Sequence, residues 1–79
     1  MSNKPIKAAE VVFQTGDDLG GLLRSIIDDS GLTRYAIAQQ AGLSESTLSR
    51  MYTGKRPATI ETLRAVADTL GRRVVVRVE

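Results

Sequence analysis

The chain has 79 residues, 42% of them apolar and 25% charged, with a net charge of +2, so its length predicts a single domain of ordinary globular composition. It contains neither Cys nor His, which removes disulfides, thiolate and imidazole metal sites and the commonest general base; the expectation is a protein with no metal, no cofactor and no enzymatic activity. Lys4 and Lys7 lead only into the short run Val11, Val12, Phe13, far below the ~20 apolar residues of a membrane span, which reads as a soluble, cytoplasmic protein with no membrane partner.

Hydrophobic periodicity predicts a mainly α chain, four helices with a β-like stretch at each end. Residues 1–16 form an N-terminal arm, and Val11, Val12 and Phe13 make a short strand of Glu10–Gln14. Leu19, Leu22, Leu23, Ile26 and Ile27 recur at i, i+3, i+4, i+7 and i+8, one stripe on a first helix that Asp17 or Asp18 can cap and that stops near Gly31. Gly20 and Gly21 in its first turn lower helix propensity and carry no assigned function. Thr33 caps a second helix reaching Gln40 or Ala41, and Gly42 supplies the positive φ of a tight turn. Ser44 caps a third helix over residues 45–52, with Leu48 and Met51 inward and Glu45, Ser46, Ser49, Arg50 and Thr53 outward, ended by Gly54. Thr59 caps a fourth, with Glu61 and Thr62 in its first turn, Ile60, Leu63, Val66, Ala67 and Leu70 along one side, and Gly71 as a stop. The run Arg72, Arg73, Val74, Val75, Val76, Arg77, Val78 is strand-like. The division expected is an arm at 1–16, a helical domain at 17–71 and a C-terminal strand at 72–79.

Charge is distributed unevenly along this frame. Residues 1–29 hold three basic and five acidic side chains, whereas residues 30–60 hold four basic ones, Arg34, Arg50, Lys55 and Arg56, against Glu45 alone. The middle of the chain is therefore the candidate face for a polyanion. Asp17/Asp18 and Asp28/Asp29 are adjacent carboxylates, but at helix ends such pairs read as caps or solvated charges rather than as an acid–base site.

Two helices joined by a very short turn cross closely and need a small residue where they touch. Ile37 and Ala38, then Gly42, then Leu48 and Met51 satisfy that requirement and leave the third helix protruding, the arrangement of a helix-turn-helix whose second helix enters a major groove. The run over residues 31–71, GLTRYAIAQQAGLSESTLSRMYTGKRPATIETLRAVADTLG, resembles the Cro/C1-type (XRE) helix-turn-helix domain, a four-helix, lambda-repressor-like fold. Leu32, Thr33, Ile37, Ala38, Gly42, Ser44, Thr47, Leu48, Ser49, Arg50, Gly54, Lys55, Ile60, Glu61, Leu63, Ala67, Leu70 and Gly71 stand where that family commonly shows the same residues. The resemblance implies that Glu45, Ser46, Ser49 and Arg50 approach base edges. It also implies that Arg34, Thr47, Thr53, Lys55 and Arg56 approach phosphates.

The chemistry of the residue types agrees with that division. Arg50 can donate two hydrogen bonds to guanine and Glu45 can accept one from cytosine, each worth ~1–3 kcal/mol of discrimination; Glu45 reads equally as a favourable charge at a helix N-terminus. Ser46 and Ser49 reach bases only from a deeply seated helix or through water. Where the family often joins its first helix to the end of the recognition helix with an Arg and a Glu, this chain has Ile27 and Tyr52: the expectation is a packing contact, or else Tyr52 turned toward the DNA backbone.

A terminal strand needs a partner. The valines Val74, Val75, Val76 and Val78 can pair with Glu10–Gln14 of the same chain or with a second subunit, and either arrangement can give a homodimer. A strand in this place is similar in architecture to the HipB-type antitoxins, small repressors that also bind a toxin protein. The function expected is a sequence-specific, double-stranded-DNA-binding transcriptional regulator, a dimeric repressor or autoregulator. The alternative is an antitoxin or other interaction module whose main partner is a protein bound through the terminal strands or the first helix.

Overall fold

In a computed structural model that describes residues 10–14 and 16–77, six elements follow one another. They are β1 (Glu10–Gln14), α1 (Leu19–Ser30), α2 (Arg34–Ala41), α3 (Glu45–Thr53), α4 (Ile60–Thr69) and β2 (Arg73–Arg77). The four helices fall where the periodicity places them, α3 running one residue further than expected. β1 and β2 pair within the chain as a two-stranded parallel sheet, with Val11 beside Val74, Val12 beside Val75 and Phe13 beside Val76. A parallel pair needs a long crossover, and the whole helical layer supplies it. Val78 lies outside the described residues.

Each helix donates to one apolar core. Leu23, Ile37, Leu48, Leu63 and Val66 are fully buried, and Ile26, Ile27, Ala38, Met51, Ala67 and Val11 complete the cluster. Every helix thus contributes at least one side chain whose truncation to Ala would cost ~2–5 kcal/mol. Leu19 and Leu22, at the start of the α1 stripe, and Leu70, at the end of α4, are half-buried at its rim. Ile60 is only half-buried, while the neighbouring Thr62 is buried at 7% exposure. Thr62 is tolerated inside because its backbone N–H and the Thr59 hydroxyl form a local pair of hydrogen bonds, Thr62 N to Thr59 Oγ1 at 3.1 Å and Thr59 Oγ1 to Thr62 Oγ1 at 3.0 Å.

Three caps form as the sequence implies. The side chains of Thr33, Ser44 and Thr59 each accept from the backbone N–H three residues on, at 3.1, 3.2 and 3.1 Å. The cap of α1 differs. Asp18 occupies the N-cap position but makes no side-chain hydrogen bond to the helix, although its carboxylate lies over Gly21, where a Cβ would be 2.7 Å from Asp18 Oδ2. Asp17 is committed elsewhere: its Oδ2 accepts from Gln14 N at 3.0 Å while its own N–H donates to Gln14 O at 2.9 Å, closing the turn after β1.

Candidate nucleic-acid interface

The turn between α2 and α3 decides how the two helices cross. Gly42 has φ +74°, a left-handed conformation that L side chains resist. It lets the Leu43 N–H reach Ala38 O at 2.9 Å and the Gly42 N–H reach Gln39 O at 3.4 Å, a Schellman closure of α2. Ser44 then starts α3 only two residues later. Ala38, 1% exposed, provides the small contact that so short a connection requires.

The same closure recurs at the end of α3. Gly54 N donates to Met51 O at 3.3 Å, and Lys55 N and Arg56 N both donate to Arg50 O, at 2.9 and 3.2 Å. These backbone bonds hold Lys55 and Arg56 immediately beyond the helix, both exposed. Leu48 and Met51 anchor the inner face of α3, and Glu45, Ser46, Arg50 and Thr53 stand exposed on the other, with Thr47 and Ser49 half-buried at its edges.

Three of these outer side chains are tied to their own helix. Ser49 Oγ donates to Glu45 Oε2 at 3.1 Å, and the Thr53 hydroxyl donates to Ser49 O at 3.0 Å. The Glu45 carboxylate also sits in the first turn of α3, where the helix dipole favours a negative charge. Arg50, Lys55 and Arg56 have side chains without a hydrogen-bond or ion-pair partner among the described residues. A nine-residue helix is about 13 Å long, and a protruding helix with short polar side chains fits the ~12 Å width of a B-DNA major groove.

Arg34 stands somewhat apart from this face. Its guanidinium lies 4.3 Å from the centroid of the Tyr52 ring, a cation–π stack that uses the flat face of the group and leaves its N–H edge available. Tyr52 in turn holds α1 to the end of α3: its hydroxyl donates to Asp28 Oδ1 at 2.6 Å, and Arg24 Nη1 donates to Tyr52 O at 2.8 Å. The hydrogen bond to Asp28, with desolvation and the Asp28 charge, raises the phenol above its usual 10.0, and Arg34 and Arg24 act against that rise. Tyr52 therefore keeps its proton, and the bond it donates, at neutral pH. Tyr52 packs against the core cluster to which Ile27 belongs, and a polar tether that the expectation lacked accompanies that packing.

Sequence reasoning gave Arg24 no role and read Asp28 only as a cap or solvated charge, whereas it accepts from the Tyr52 hydroxyl. Their signal was a spacing of four on α1 beside the apolar stripe, which puts both on one helix face, but only the fold brings that face to α3. Tyr35, 60% exposed, and Gln39, which donates to its hydroxyl at 3.1 Å, were also not singled out. Among the described residues no group of acidic side chains is disposed to hold a metal ion, and no helix is long and apolar enough to cross a membrane.

A family model described as a helix-turn-helix domain matches residues 18–79. No curated protein and no solved structure matches the chain.

Proposed function

Since the chain belongs to the helix-turn-helix domain family, and so to a class of DNA-binding regulators, we propose that it is a sequence-specific, dimeric repressor or autoregulator that inserts α3 into the major groove. The observation that carries this reading is the outer face of α3: an exposed, short polar surface with an uncommitted Arg50, ending in a basic exit that backbone hydrogen bonds hold in place. Arg50 reads guanine through two hydrogen bonds, and Glu45, Ser46 and Ser49 face the neighbouring base pairs, Glu45 as an acceptor for cytosine. Lys55 and Arg56 contact phosphates beyond the helix, Arg34 does so from its stack on Tyr52, and Thr47 and Thr53 flank the groove. Thr53 acts there only as an acceptor or through water, because its proton is held by Ser49 O.

A dimer places two α3 helices on half-sites of an inverted repeat about one helical turn, ~34 Å, apart, with the terminal strands and Val74, Val75 and Val76 at its centre. Selection of bound duplexes from a random pool, followed by titration at several salt concentrations, tests this function. One enriched palindromic motif is the expected result; binding without any enriched sequence overturns it. The terminal sheet, two-stranded among the described residues, favours a second reading, an antitoxin-like module that also receives a toxin protein on those strands.

A further inference from the structure

Arg34 differs from Lys55 and Arg56 in that its side chain is engaged before any DNA arrives. It opens α2 and is half-buried, with its guanidinium 4.3 Å from the centroid of the Tyr52 ring. The cleft it borders is also lined by Asp28. A cation and a carboxylate therefore share one cleft, yet they form no ion pair among the described residues. The Asp28 carboxylate is bound instead by the Tyr52 hydroxyl, which donates to Oδ1 at 2.6 Å, the short distance of a charge-assisted bond. Arg24, the other cation on that side of Tyr52, is committed to Tyr52 O at 2.8 Å.

We propose that Tyr52 is a positioning residue for the phosphate contact of Arg34: its ring orients the guanidinium, and its hydroxyl keeps Asp28 from capturing it. This rests on the phosphate role given to Arg34 above. A guanidinium has one set of N–H donors, so an ion pair with Asp28 would consume the same edge that a phosphate needs. Stacking uses only the flat face and leaves that edge outward. Ordering a long side chain at an interface costs affinity, so an Arg34 already ordered in the free protein should bind about two- to tenfold more tightly than a freely rotating one. Capture by Asp28, an exposed ion pair, should cost about two- to fivefold.

Phosphate contacts are independent of sequence, so short mixed-sequence duplexes at low salt serve as the probe. Tyr52→Phe keeps the ring and releases Asp28; it should bind two- to fivefold more weakly, and adding Asp28→Ala should restore the affinity of Asp28→Ala alone. Tyr52→Leu removes the ring, should bind about two- to tenfold more weakly, and should not be restored by Asp28→Ala. In an Arg34→Ala background both Tyr52 substitutions should leave affinity unchanged. By nuclear magnetic resonance, the Arg34 δ protons of the free unaltered protein should show the upfield shift of a group held over a ring, absent in Tyr52→Leu. Helical circular dichroism checks that each variant is folded, and Tyr52→Phe with Asp28→Ala suffices should Tyr52→Leu fail to fold. Unaltered binding by Tyr52→Phe, no restoration by Asp28→Ala, or losses that persist without Arg34 overturn the proposal; the last would make Tyr52 only a tether between helices. If Arg34→Ala alone loses no affinity, the phosphate contact itself falls and this proposal with it. A sequence motif enriched from the random pool in either case leaves the regulator reading standing.

Discussion

Replacing Gly42 with Ala isolates the cost of the turn on which the two-helix geometry depends. Gly42 has φ +74°, and a Cβ there would meet nothing within 4 Å. Sterics beyond the residue itself therefore add nothing, and the cost is that of an L side chain in the left-handed region, about 1–2 kcal/mol. Against a total stability of roughly 4–12 kcal/mol for a chain of this length, that loss is appreciable, and it should lower the melting temperature by about 4–8 °C per kcal/mol. Asn, which tolerates this conformation, should lose distinctly less. Because the Leu43 and Gly42 N–H groups keep their carbonyl partners, the folded Gly42→Ala protein should bind DNA normally well below its melting temperature. Urea and thermal unfolding followed by circular dichroism, with DNA titration at low temperature, check these values. Unchanged stability, an Asn variant as weak as the Ala variant, or a tenfold loss of DNA affinity without matching destabilisation would refute the reasoning.

Ser44→Ala removes a cap that is made, and should cost about 1 kcal/mol; Asp18→Ala removes one that is not, and should fall within about 0.5 kcal/mol of the unaltered protein. Equal losses in chemical denaturation would contradict the assigned caps. Asp28→Ala should move the Tyr52 phenol down toward its ordinary value of 10.0, because the hydrogen bond to Asp28 is the first cause of its elevation. An ultraviolet alkaline titration that is identical in both proteins would show that the bond does not form in solution. A raised phenol contributes stability that is complete below its unfolded pKa and is lost as the pH climbs through the folded one. The tether between α1 and α3 should therefore be indifferent to pH between 7 and 9 and weaken only in strong alkali.

Where a local rule decides the outcome, the structure could be read ahead. The period of the α1 stripe, the Thr33, Ser44 and Thr59 caps and the left-handed glycines each depend on residues within one or two turns of one another, and their physics is complete in the sequence. The inner and outer faces of α3 follow in the same way from Leu48 and Met51. Asp17 and Asp18 were ambiguous because two carboxylates compete for one cap; the turn after β1 engages Asp17, and Asp18 takes the N-cap position without a side-chain hydrogen bond. The Tyr52 tether and the stack of Arg34 upon it unite residues from three helices. No spacing rule connects Arg24, Asp28, Arg34 and Tyr52 until the core has set the crossing of α1 over α3. The pairing of β1 with β2 is of the same kind, since a strand's composition announces that it needs a partner without saying which.

The central claim is that α3 divides its work between reading bases through Arg50 and gripping phosphates through the exit at Lys55. Duplex selection and salt titration on the unaltered protein, Arg50→Ala and Lys55→Ala test it most directly. Arg50→Ala should lose ~1–3 kcal/mol of preference at one base pair of each half-site. Lys55→Ala should keep the motif, weaken binding to every duplex and reduce the salt slope by about one. Indistinguishable motifs and equal salt slopes in the two variants would contradict it.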